Sequence, residues 1–151
     1  MGTRLYQALI GKLESGKAHN YSLPKQTLHN LKRFKEEEEN HFHFLTRCLT
    51  ELGADPSALI PSADTSAVSA MGLLQVVTDP RTTFAQSVQS ILIAELTDHD
   101  SWALLYQLSL SMEFKSMSED FIKALIEEQD HLDHIRRLYE YLIMAEAKVV
   151  A

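Results

Sequence analysis

Residues 36–45 read EEEENHFHFL and residues 126–135 read IEEQDHLDHI, and each stretch sets a glutamate and a histidine three residues apart within an apolar helical stripe. In the first, Leu31, Phe34, Glu38, His41 and Leu45 recur at three- and four-residue spacing; in the second, Leu125, Glu128, His131 and Ile135 do the same. That spacing lines side chains up on one face of an α-helix. A third carboxylate, Glu95, interrupts the stripe Leu92, Glu95, Trp102 of another helical segment. Burying an ionised carboxylate alone costs several kcal/mol, so these inward acids demand a positive charge. No Lys or Arg occupies the three stripes, and a metal ion is the remaining candidate. Glu and His three apart can grip one ion from a single helix, and a carboxylate from a facing helix can bridge to a second. The candidate metal ligands are therefore Glu38, His41, Glu95, Glu128 and His131. Mixed oxygen and imidazole donors suit iron or manganese, and the lack of thiolate partners argues against a structural zinc site. One Glu-x-x-His in a glutamate-rich run is a weak signal. Two copies on separate apolar stripes, with Glu95 on a third, are stronger, the competing reading being a satisfied polar core or a vestigial site.

Outward from these motifs, periodicity predicts four long helices. The first spans 3–18, with Leu5, Leu9, Ile10 and Leu13 on one face, and ends near Gly16. The second spans about 24–52, with Pro24 in its first turn and Gly53 as a left-handed cap. Ala54 to Pro80 is rich in Ser, Ala, Asp and Pro and reads as a long linker with one small helix around Val68, Met71, Leu73 and Leu74. A third helix starts at Asp79-Pro80 and runs to about 112; a polar turn at Lys115–Ser118 leads into a fourth, 119–146. Two hairpins joined by one long crossover is the connectivity of ferritin-like bundles. The expected fold is an all-α four-helix bundle forming a single domain over 1–151.

Composition agrees. A chain of 151 residues suffices for one core. Five Gly and four Pro leave little material for the turns of an all-β fold. The net charge of −7 disfavours nucleic acid and anionic membrane surfaces, both of which require a basic patch. No apolar run is long enough to span a membrane and residues 1–20 lack a signal-peptide pattern, so a cytoplasmic location is expected. The single cysteine, Cys48, is read as a buried structural residue.

The segments EEEENHFHFL, ELGADPSALIPSADTSAVSAMGLLQVVTDPRTTFAQ (51–86), ILIAELTDHDSW (91–102) and IEEQDHLDHI resemble the ferritin-like superfamily, within it the bacterial ferritin-like domain proteins related in outline to rubrerythrins. The resemblance implies a carboxylate-bridged dinuclear centre, usually iron, with Glu38, His41, Glu95, Glu128 and His131 in ligand places. It also implies iron handling or peroxide and oxygen chemistry, with metal ions as partners and a homodimer as the assembly. The family's remaining ligand is a glutamate on the first helix, where Glu14 is the available carboxylate. Counting back from the turn, the partner of Glu38 belongs near residues 1–6; at about 1.5 Å per residue Glu14 lies roughly 12 Å too near the turn. In relatives the segment resembling GTRLYQAL follows a helix that starts further upstream, so the chain reads as truncated at its N-terminus or short of one ligand. A site holding at most one well-ordered ion is the consequence.

The other polar residues have plainer readings. Asp98 and His99 are candidates to orient ligands or to lie on a helix surface. His43 and His134 are assigned to surface or core, with His134 a reserve ligand; His19 and His29 fit loops or surface; Trp102 and Tyr106 fit packing. Three functions stay open: a di-metal oxidoreductase of ferroxidase or peroxidase type, a metal-free helical interaction module, and metal storage.

Overall fold

The computed structural model describes residues 1–111 and 115–150. Five helices account for most of them: α1 Gly2–Glu14, α2 Thr27–Glu51, α3 Pro61–Thr78, α4 Phe84–Ser111 and α5 Lys115–Val150. Among the described residues there is no strand. The chain forms two compact units, Met1–Ile91 and Leu92–Ala151, with α4 continuous through the boundary.

In the first unit α1 packs against α2 and α3. Its core is Leu5, Tyr6, Leu9 and Ile10 of α1, Leu31 and Phe34 of α2, Val77 of α3, and Phe84, Ala85, Val88 and Ile91 of α4, all buried. The Tyr6 and Phe34 rings meet at 5.8 Å and those of Tyr21 and Phe84 at 6.5 Å. Each large apolar side chain so buried contributes about 1.5–3 kcal/mol. Both helix ends that precede a glycine close in the same way. Gly16 and Gly53 have φ of 82° and 75°. At the first, Gly16 N–H donates to Leu13 O and Lys17 N–H to Lys12 O; at the second, Gly53 N–H donates to Thr50 O and Ala54 N–H to Leu49 O. Those are the paired bonds of a Schellman cap, which a left-handed glycine allows without strain. The cap ends α1 at Glu14, four residues before the expected limit at 18.

Four further boundaries differ from expectation. Pro24 lies in a turn, its carbonyl accepting from Thr27 N–H at 3.0 Å, and α2 begins at Thr27. Pro80 likewise lies in a turn: the Asp79 carboxylate accepts from the Arg81 backbone N–H at 2.8 Å and from its guanidinium at 3.0 and 2.7 Å. These bonds hold the Asp79 carboxyl down at about 2. α4 then starts at Phe84 under a reciprocal cap, Gln86 N–H to Thr83 Oγ1 at 3.1 Å and Thr83 N–H to Gln86 Oε1 at 2.9 Å. The stretch 115–118, expected as a turn, is helical, and α5 continues to Val150 through Ala145, Glu146, Ala147 and Lys148, which contain no helix breaker.

The crossover is the largest difference: in place of one small helix it carries the 18-residue α3. Pro61 opens it, where a missing N–H costs nothing. Thr65, Ser69 and Thr78 turn their hydroxyls back onto the carbonyls of Pro61, Thr65 and Leu74.

Lys12 is buried on α1 and ties that helix to the α3–α4 connection. Its Nζ donates to Asp79 O at 3.0 Å, Thr82 O at 3.0 Å and Ser87 Oγ at 2.8 Å, using all three ammonium donors. Burial pushes its pKa down, an effect the Asp79 carboxylate opposes and Lys17 reinforces.

The second unit is built on α5 and the C-terminal part of α4. Its buried apolar residues are Ala94, Trp102, Phe121, Ala124, Leu132, Ile135 and Leu142, with the Trp102 and Phe121 rings 6.1 Å apart. No helix is long and apolar enough to cross a membrane among the described residues.

Candidate metal centre

In the second unit α4 and α5 both turn acids inward. α4 carries Glu95 on the same side as Ile91, Ala94 and Trp102; α5 carries Glu128 and His131 between Ala124 and Ile135. Their exposures are 1% for Glu95, 1% for Glu128 and 0% for His131, so all three are as deeply buried as the leucines around them. One potential ligand atom from each lies within 4.8 Å of the others. The His131 imidazole sits between the two carboxylates, Nδ1 being 3.6 Å from Glu95 Oε2 and 3.9 Å from Glu128 Oε2.

These separations are longer than a hydrogen bond, which for a charge-assisted N–H to oxygen contact is about 2.7–2.9 Å. They match donors arranged around a common ion. With metal–ligand bonds of about 2.1 Å, two donors stand about 3 Å apart at right angles and about 4.2 Å apart when opposed. The chemistry of the set points the same way: anionic oxygens and a neutral imidazole nitrogen, without sulfur, suit iron and manganese among the transition metals. Glu95, Glu128 and His131 therefore fit a divalent metal in burial, spacing and donor type.

The matching motif on α2 is also inward. Glu38 is 8% exposed and His41 6% exposed, in line with the buried Leu31 and Phe34. The Glu38 carboxylate lies directly against Gly2 of α1, so close that a Cβ at residue 2 would collide with Oε2 and Cδ and stand 2.9 Å from Cγ. The α1 position at the height of Glu38 is thus residue 2, within the 1–6 window that helix geometry predicts, and a glycine occupies it. Glu14 is far along the helix in a surface ion pair, its Oε1 2.9 Å from Lys32 Nζ with both side chains at least half exposed.

The remaining candidates divide as their surroundings dictate. His134 pairs with Asp130 on its own helix at 3.1 Å, partly exposed, and so serves the surface of α5. His99 is half-buried, 3.5 Å from Asp100, and Asp98 is half-buried beside it. His43 and His29 are exposed, while Cys48 and Trp102 are buried as expected. Phe42, Leu49 and Leu52, which share the α2 apolar period, are exposed at 63%, 41% and 50%, so the buried face of α2 is narrower than its apolar one.

Sequence reasoning overlooked Lys12, Gly2 and the Thr83–Gln86 cap. The cap had a legible signature, Thr-x-x-Gln ahead of an apolar run. Gly2 falls within the window 1–6 obtained by counting back from the turn, but nothing in the sequence singles it out there. Comparison with protein-family models, with curated proteins and with solved structures returns no match for this chain.

Proposed function

We propose that this protein is a ferritin-like metal-binding protein whose carboxylate and histidine side chains hold iron or manganese. The observation that carries the reading is the buried group Glu95, Glu128 and His131, whose potential ligand atoms lie within 4.8 Å of one another. In this reading the helices form a four-helix bundle with α3 in the crossover, and Glu38 and His41 complete the ligand set. Each Glu-x-x-His pair then offers two donors from a single helix. The carboxylates neutralise the ion's charge, and His131 and His41 bind through a deprotonated ring nitrogen. Iron or manganese bound there would supply redox chemistry toward oxygen or peroxide, and the role we propose is in iron handling or peroxide and oxygen chemistry.

A second reading, a helical module that works without a metal, is favoured by one feature: α1 offers Gly2 where a further carboxylate would help balance the charge of two ions. The test that separates them is elemental analysis of protein purified without chelator, alongside Glu95→Ala and His131→Ala variants. Iron or manganese near one equivalent in the wild type and near zero in both variants supports the metal centre. Equal, substoichiometric metal in all three supports the module.

A further inference from the structure

Gly2 stands in an α-helix with ordinary helical backbone; the positive-φ glycines are Gly16 and Gly53. Nothing in its conformation calls for glycine, and glycine weakens a helix relative to alanine. What the position requires is space, because its Cα lies against the Glu38 carboxylate and any side chain would occupy the same volume. Gly11, on the same helix, is the natural contrast: a Cβ added there meets nothing within 4 Å.

We infer that Gly2 is a positioning residue for Glu38: the side chain it lacks is what allows the carboxylate to lie flat against α1 and point its oxygens inward as ligands. The inference rests on the proposed metal centre. Glu38 is 8% exposed and confined on this side by α1, so an added methyl group must rotate or push the carboxylate. Rotation misplaces a donor atom without removing it. Changes that misorient a ligand weaken metal binding by on the order of 10- to 100-fold.

The experiment is isothermal titration of Mn(II) into the chelator-treated full chain, with thermal melts of the metal-free forms in parallel. Gly2→Ala is expected to weaken Mn(II) binding at least about 10-fold while its metal-free melting point holds or rises, and Gly11→Ala is expected to bind as wild type. Glu38→Ala removes the Cγ, Cδ and Oε2 atoms that the methyl group would meet. On that background, adding Gly2→Ala is expected to change the Mn(II) Kd less than about twofold, the non-additivity of residues in contact. The combined variant also serves if Gly2→Ala alone fails to fold, because it relieves the same collision. Wild-type affinity in Gly2→Ala, or an equal loss on both backgrounds, overturns the role of Gly2 and leaves the metal centre standing. A wild-type chain that takes up no Mn(II) overturns the metal centre itself.

Discussion

Replacing the buried polar group as a whole, with Glu95→Met, Glu128→Met and His131→Leu together, should make the metal-free protein more stable while removing its metal. All three groups are buried, none of the residues being more than 1% exposed. Taking an ion out of water costs several kcal/mol even after relaxation, and three such groups are involved. If His131 is protonated in the metal-free state, its attraction to carboxylates at 3.6 and 3.9 Å recovers about 4–5 kcal/mol from each at an effective dielectric of 20. Repulsion between the two carboxylates, within 4.8 Å of one another, takes back about 3.5 kcal/mol. If His131 is neutral, that attraction is lost and the repulsion stays. Exchanging buried ionic groups for apolar ones of similar size typically gains about 1–4 kcal/mol. For a chain of this length that is a rise in melting point of about 3–15 °C. The assay is thermal unfolding followed by far-ultraviolet circular dichroism on chelator-treated proteins at pH 7. Mn(II) at a hundred times its Kd should stabilise the wild type by about 2.7 kcal/mol and leave the triple variant unmoved. A triple variant that melts below the metal-free wild type would refute the reasoning, since it would show that the three residues support the core in their own right.

Two further outcomes follow from the first unit. Lys12→Met removes the donor shared by Asp79 O, Thr82 O and Ser87 Oγ; the loss of three charge-assisted bonds, partly offset by relief of the ammonium's burial, should cost about 1–3 kcal/mol and lower the melting point by about 3–10 °C. The Asp79 carboxyl, held at about 2 by Arg81, binds its proton less tightly when folded than at its ordinary 3.8, so its contribution is present above 3.8 and is lost as pH falls from there to about 2. Arg81→Gln should return the Asp79 titration seen by carbon-13 NMR toward 3.8, and an unchanged midpoint would contradict the assignment.

The parts of the fold that were legible in the sequence are those where burial imposes a period. Leu31, Phe34, Glu38 and His41 on α2 are all buried, as are Glu128, His131 and Ile135 on α5, so the helical repeat of the sequence is the repeat of the core. α3 was illegible for the same reason: of its 18 residues only Val77 is buried, and a helix without a buried face carries no apolar rhythm to detect. The exposed Phe42, Leu49 and Leu52 show the opposite failure, an apolar period wider than the face that is covered. Proline misled twice, because Pro24 and Pro80 fit a helical first turn but serve the turn before it. Of the site, Glu95, Glu128 and His131 were readable because an acid or imidazole in an apolar stripe is conspicuous. The contact between Gly2 and Glu38 was readable only as a height, since a glycine has no side chain to announce its partner.

The central claim, that Glu95, Glu128 and His131 are metal ligands, is tested most directly by anomalous diffraction from crystals of the chain grown without chelator after loading with Fe(II) under argon. One strong peak is expected at the iron edge, about 2.0–2.3 Å from a ring nitrogen of His131 and from carboxylate oxygens of Glu95 and Glu128. A map with no peak within bonding distance of these residues, or with the iron on surface acids instead, would contradict it.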